Sequence, residues 1–245
     1  MAGLACSRIA AMTIKGPLKG ISSMATRQVL AELSAAWTQR SGQAVEIESV
    51  GGVDAAKRVA AGEGFDVVLL AADAIDKLIA GGHLAPGSRV DLVRSPVAMA
   101  VREGAAKPEV GSEAALKAAV LAARTVAYST GPSGNHIVKL FERWGVADTI
   151  KDRIVMAPPG VPVGSLVATG EVELGFQQLS ELMHLSGITV LGTLPAEVAY
   201  ITTFSAGLPA GGARADAVRA MLSFMNSPEA AATKRRHGME PIGDH

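Results

Sequence analysis

An α/β fold is the architecture that this 245-residue sequence predicts. Short apolar or β-branched runs alternate with segments of helical period almost throughout, the pattern of parallel strands joined by crossover helices. Small-residue punctuation, with 27 Gly and 12 Pro, separates the segments. No run approaches the roughly 18 to 20 uninterrupted apolar residues of a membrane-spanning helix, although 49% of residues are hydrophobic.

Each element carries its own signal. The first helix follows Ser22-Ser23, sets Val29, Leu30, Leu33, Ala36 and Trp37 on one stripe, and ends at Ser41-Gly42, where Gly supplies a C-cap. A strand over 44–49, a Gly51-Gly52 turn, a helix over 55–61 and a strand over 66–70 come next. Asp73 reads as the N-cap of a helix closed by Gly81-Gly82. A strand over 96–101, a loop with Gly104 and Pro108, a helix over 113–122 and a strand over 125–129 follow. The helix over 134–144 buries Ile137, Leu140, Phe141 and Trp144. Then come a strand over 154–156, a helix over 161–168, a strand over 174–177, a short helix from Ser180 and strands over 189–191 and 199–205. Helices over 213–224 and 228–236 finish the chain, the last stopped by Gly238. No linker or charge block divides it, so two lobes have to be joined by strands, with 93–101 going out and 199–205 returning.

Composition excludes several functions. Lys+Arg and Asp+Glu each total 23, so no basic field exists to neutralise a nucleic-acid backbone. Two Trp, two Tyr and five Phe leave little for stacking bases, sugars or flat cofactors, and a small polar ligand suits that poverty. The single Cys6 permits neither an intrachain disulfide nor a Cys-based metal cage. The first residues, MAGLACSRIAAM, lack a basic n-region and an apolar stretch of about 7 to 15 residues. Residues 1–11 are read as an unstructured lead-in, the fold starting near Met12 or Ile14. If the chain is a complete gene product it is cytoplasmic; if a signal was removed or missed, it is periplasmic.

The strand-to-helix junctions carry the chemistry. Ser22-Ser23-Met24-Ala25-Thr26, Val50-Gly51-Gly52-Val53, Ala71-Ala72-Asp73, Thr130-Gly131-Pro132-Ser133-Gly134-Asn135 and Pro158-Pro159-Gly160-Val161 are rich in small and hydroxyl residues. In open α/β sheets ligands sit outside the carboxyl ends of strands, where helix N-termini offer free N–H groups and positive partial charge. Taken together the junctions describe an anion cleft; taken singly each is ordinary turn and cap chemistry. Neither Gly-rich segment has nucleotide-fingerprint spacing, and Ser133 is not in a nucleophile elbow. The histidines at 83, 136, 184, 237 and 245 show no metal-ligand spacing, so neither a metal nor a cofactor is expected.

Individual side chains divide between two readings. His136, in the first turn after Ser133-Gly134, is a ligand contact or proton carrier, or else a surface histidine. Arg58 is a carboxylate clamp, or a structural partner of Asp66 or Glu63, and Lys57 is a base or a solvated lysine. Gln177 and Gln178 end a strand where amides can close over an anion, or simply satisfy backbone groups beside an N-cap Ser180. Lys234-Arg235-Arg236 reads as a solvated face in a last helical turn, and Met221 and Met225 as core.

These residues resemble the molybdate-binding-protein-like branch of the type II periplasmic binding proteins. The resemblance rests on Ser22-Ser23, the 61–68 run, Gly131-Pro132-Ser133-Gly134, Leu174-Gly175-Phe176-Gln177-Gln178 and Asn226-Ser227-Pro228-Glu229-Ala230-Ala231, and spans about Ile14 to Pro241. It implies two α/β lobes of mixed sheets flanked by helices, over 12–94 plus 204–245 and over 95–203, with a ligand cleft between them. It also implies ligand contacts at Ser22 or Ser23, at Gly52 or Val53, and at Ser133-Gly134. The second-loop serine of that branch has no counterpart at Gly51-Gly52, and its cleft tyrosine falls at Gln178. Those departures point from molybdate towards a larger carboxylate, which Arg58, Asn135, His136, Gln177 and Gln178 would suit. The expected protein is a monomeric solute-binding protein for a small anion, more a di- or tricarboxylate than a tetrahedral oxyanion, partnered by an ABC-transporter permease. The alternatives are an isomerase like aconitate isomerase, which belongs beside this branch, with His136 or Lys57 as base, and a cytoplasmic ligand-sensing domain.

Overall fold

The computed structural model describes residues 16–158 and 160–242. The lead-in 1–11 with Cys6, the starting points Met12 and Ile14, Pro159 and His245 lie outside the described residues.

Strand β1 (Leu18–Ser23) passes through a 3-10 turn, Met24–Thr26, into helix α1 (Arg27–Ser41), which Gly42 ends in the left-handed conformation at φ 74°. Strand β2 (Val45–Val50) lies at a sheet edge and alternates, with Glu46 and Glu48 exposed. Helix α2 (Gly52–Ala60) leads to β3 (Val67–Ala71), buried at every position because both faces are covered, Val67 and Leu69 by one core and Val68 and Leu70 by another. Helix α3 (Ala72–Ala80) starts directly from that strand, so Ala71 takes the cap position and Asp73 falls inside the first turn, where its charge still complements the helix dipole.

Strand β4 (Val90–Arg102) is thirteen residues long, starting well before the expected 96. Helix α4 (Glu113–Ala122) is capped by Ser112, whose hydroxyl accepts from the Ala115 N–H. Strand β5 (Val126–Tyr128), α5 (Pro132–Arg143), α6 (Ala147–Ile150) and a 3-10 turn, Lys151–Arg153, follow. The strand expected over 154–156 shrinks to one bridge between Ile154 and Val126. Next come α7 (Val163–Thr169), β6 (Leu174–Gln178), α8 (Leu179–Leu182), β7 (Ile188–Thr193) and β8 (Ile201–Gly207). Gln178, not Ser180, holds the cap position of α8, because the strand turns into the helix without a loop. Helices α9 (Ala215–Met225) and α10 (Pro228–Arg236) and the short β9 (Glu240–Pro241) complete the chain.

The strand order is β2-β1-β3-β8-β4-β6-β5, with β7 and β9 also on β4. β1, β2 and β3 are mutually parallel, as are β5 and β6, whereas β8 is antiparallel to β3 and β4, and β6 to β4. β4 belongs to both halves: it pairs with β8 up to Pro96 and with β6 from Val97. One large core lies under α1, α9 and α10, around Leu33, Leu69, Phe204 and Met221; another lies between α4, α5 and β6, around Leu116, Ile137, Phe141 and Phe176.

The basic run at 234–236 is not a uniformly solvated face. Lys234 is 1% exposed, and its Nζ donates to the Leu92 carbonyl at 2.8 Å and to Asn226 Oδ1 at 2.9 Å. Arg236 and His237 both hold Glu32 of α1, and His237 Nδ1 lies 3.0 Å from His184 Nε2. Met221 and Met225 are core. No helix among the described residues is long and apolar enough to cross a membrane.

Candidate functional site

Strand direction sets where the junctions meet. β3 reaches Ala71 opposite Phe204, which also pairs with Val93, while β6, running the other way, ends at Gln178 opposite Val97. The carboxyl ends of the two parallel sets therefore face each other across a short stretch of β4, and each junction on those ends opens into the same space.

Ser22 and Ser23 close β1. Ser22 is fully buried, and its Oγ lies 2.8 Å from the Oγ of Ser49, its register partner on β2. Ser49 thus sets a second hydroxyl beside Ser22, at the end of the strand before Gly51 and Gly52. Ser23, also buried, has an Oγ with no hydrogen-bond partner, and Gly52 at the start of α2 stands over its Cβ. Val53 is exposed in the first turn of α2.

On the facing edge, Ser133 is buried with its Oγ 2.7 Å from Ser129 Oγ. A Cβ on Gly134 would lie 1.5 Å from the Ser129 carbonyl oxygen, so only glycine lets α5 begin against β5. Asn135 is exposed, with its N–H given to the Gly131 carbonyl. His136 turns away from the role of a free base: its Nε2 is 3.1 Å from the Val198 carbonyl oxygen and its ring stacks on Tyr200 at 4.5 Å. Burial, with a further contribution from the Asp73 carboxylate, holds the Tyr200 phenol above its ordinary pKa.

Both amides of β6 are buried and spoken for in different ways. Gln177 Oε1 accepts from the Gly164 N–H at 3.1 Å, and its Nε2 donates to Glu181 Oε1 at 3.0 Å. Gln178 Nε2 donates to Thr202 Oγ1 at 2.7 Å, which leaves the buried Gln178 Oε1 without a partner. Glu181 has no cation beside it; burial pushes its carboxyl up to about 7 against the opposing effect of the Gln177 bond. Ser180 Oγ donates to the Ala25 carbonyl at 2.8 Å and pins α8 against the end of β1.

Arg58 is not available as a clamp. Its guanidinium spans Glu48 and Glu63 through four hydrogen bonds of 2.5 to 2.9 Å and lies over Phe65, the structural alternative, with Glu63 rather than Asp66 as a partner. Lys57 is exposed in the last turn of α2, remote in the helix from the junction at its start. Arg27 opens α1 just beyond the first junction and lines a groove of about 1180 Å³ that runs chiefly between α1 and β2, past Ser34, Ile47, Ser49, Gly51 and Asp54, and reaches Gly160 at its far end. The sequence signal was present in its position five residues after Ser22, but only the geometry separates it from Arg58. Ser49 was hidden by the expectation that a second-loop contact follows the strand rather than ending it. Glu181 was hidden in a segment read through its amides.

Residues 18–240 match the family of bacterial extracellular solute-binding proteins. An aconitate isomerase from Pseudomonas sp is 40% identical over 186 residues, 76% of this chain and 71% of that protein. Among solved structures, the periplasmic molybdate-binding protein of Azotobacter vinelandii superimposes with a TM-score of 0.75 at 23% identity, covering 91% of this chain and 98% of that one. The sulfate-binding protein of Mycobacterium tuberculosis H37Rv does so with 0.74 at 14%, covering 93% and 88%. At those identities the two structures establish the two-lobe type II periplasmic-binding-protein fold and nothing finer.

Proposed function

The chain belongs to the family of bacterial extracellular solute-binding proteins, and on that footing we propose that it acts on what it binds, as an isomerase of a small unsaturated di- or tricarboxylate. The supporting observation is the likeness to an aconitate isomerase, at 40% over three quarters of the chain, against 23% and 14% for the molybdate- and sulfate-binding proteins. The site suits such a ligand. Arg27 can take one carboxylate bidentately, and Ser23, Ser49 and Ser133 offer hydroxyls to another. The two expected lobes close on it, the chain acting as a monomer.

The reaction is an allylic proton shift. Removing a proton from the methylene beside a carboxylate leaves an electron pair that spreads through the adjacent double bond into the far carboxylate; reprotonation at the other allylic carbon moves the double bond. Cations and hydroxyls at the carboxylates stabilise that charge as it develops. Proton NMR of the purified chain with cis- or trans-aconitate should show the two interconvert, and an unchanged spectrum over hours at high enzyme concentration rejects the activity.

A second reading, capture of a small anion for an ABC-transporter permease in the periplasm, draws on the family itself and on the buried, unpartnered Ser23 hydroxyl. Thermal unfolding with molybdate, sulfate, phosphate, citrate and both aconitates separates the two. Stabilisation by an oxyanion without turnover of any carboxylate favours capture.

A further inference from the structure

We propose that Glu181 is the catalytic acid–base group of this site. The inference rests on the isomerase reading and names the atom that moves the proton.

Glu181 stands at the junction of β6 and α8, one residue after Ser180, whose hydroxyl reaches across to the Ala25 carbonyl in the turn that follows β1. It is the third residue of α8, and side chains in a first helical turn lean back towards the helix start, here the end of β6 where the cleft lies. Its hydrogen bond to Gln177, four residues earlier, shows that direction. Gln177 is itself held at its other end by the Gly164 N–H, so it acts as a positioning residue that fixes one carboxylate oxygen and leaves the other to the substrate. Ser23 Oγ, just before the Met24–Thr26 turn on which α8 packs, and Gln178 Oε1, at the start of α8, are buried without partners and so have acceptor or donor capacity to offer a ligand.

The surroundings leave this carboxyl near neutrality, as general acid–base work requires. Its helix packs on β4, β6 and the Met24–Thr26 turn, and Leu179 and Met183 meet Gly238. The charged groups on those elements are engaged elsewhere. Arg94 faces Glu240, Arg102 ends β4 beside Gly170, Asp91 is held by Arg89 and Ser205, His184 meets His237, which in turn holds Glu32, and Arg27 lines the groove. The rival bases are accounted for, His136 on the Val198 carbonyl and Lys57 out in solvent.

The step balances without a co-reactant. The Glu181 carboxylate breaks a C–H bond of the substrate methylene and takes the proton; the pair enters the conjugated carboxylate; the Glu181 carboxylic acid then returns the proton to the distal carbon and is a carboxylate again. Because the proton exchanges with water while it sits on Glu181, the reaction can be followed as deuterium uptake.

The experiment is NMR of cis-aconitate in D₂O with wild type, Glu181→Gln and Glu181→Asp. Wild type should wash deuterium into the methylene, at a rate that rises with pH through about 7. Glu181→Gln should lose on the order of 100-fold or more, with its pH dependence abolished and its thermal stabilisation by aconitate kept. Glu181→Asp should recover part of the rate. Wild-type exchange that survives in Glu181→Gln, with its pH profile intact, overturns the assignment of Glu181 and spares the isomerase reading. Absence of exchange and of isomerisation in wild type overturns both.

Discussion

Glu181 and Arg58 show how much a single side chain's role depends on what surrounds it. A carboxyl raised from 4.5 to about 7 is a stability cost at neutral pH. Below 4.5 both the folded and unfolded states are protonated and nothing is lost; between 4.5 and 7 the unfolded chain sheds its proton first, so stability falls as pH rises; above 7 the penalty is complete, roughly 3 kcal/mol. Glu181→Gln should therefore unfold like wild type at pH 4 and be more stable by about that amount at pH 8, as measured by urea denaturation at the two pH values. The acid's presence was visible in the sequence, but its burial depends on β4, β6 and the end of β1 packing around one short helix. Arg58 is the converse. Its charge and position after Gly51-Gly52 were plain, yet Glu48 on β2 and Glu63 beyond α2 converge on it only once the chain folds.

Elements were legible wherever periodicity and punctuation agreed. The limits of α4 and α10 follow from Ser112 before one and Ser227-Pro228 before the other, and α1 ends where Gly42 supplies a left-handed residue. Boundaries slipped where a strand runs straight into a helix, as at Ala71–Ala72 and Gln178–Leu179, because no loop residue marks the change. The last turn of α10 was misjudged for another reason. A lysine at a helix end ordinarily reaches water, but Lys234 lies beneath α9 and β4 and joins Leu92 to Asn226, whose amide in turn donates to the Asp91 carbonyl. Lys234→Met keeps the length and removes the donors, leaving the buried Leu92 carbonyl without its lysine, and should cost about 2 kcal/mol of stability in urea unfolding.

At the scale of the molecule, the two halves are tied along one side of the cleft and open along the other. Ser180 reaches the Ala25 carbonyl, and His184 meets His237 and through it Glu32. On the opposite side Gly51 and Gly160 face each other over the groove without a hydrogen bond between them. Closure on a carboxylate is expected to pivot on the α8 side and draw the glycine loops together. Spin labels on Val53→Cys and Val161→Cys, both exposed, with Cys6→Ser as background, should report a shorter distance when citrate is added. An unchanged distance under saturating ligand rejects the pivot. The sequence alone determined the α/β class, the strand ends at which ligand chemistry concentrates, and the absence of any global charge field, because those follow from local periodicity, cap residues and a count of charges. Which of the charged and polar residues reach the cleft was decided by tertiary structure. Partners at Arg58 and His136 come from segments apart in sequence, the packing of α1 on β2 sets Arg27 beside Ser49, and the approach of the second half adds Gly160 to their groove.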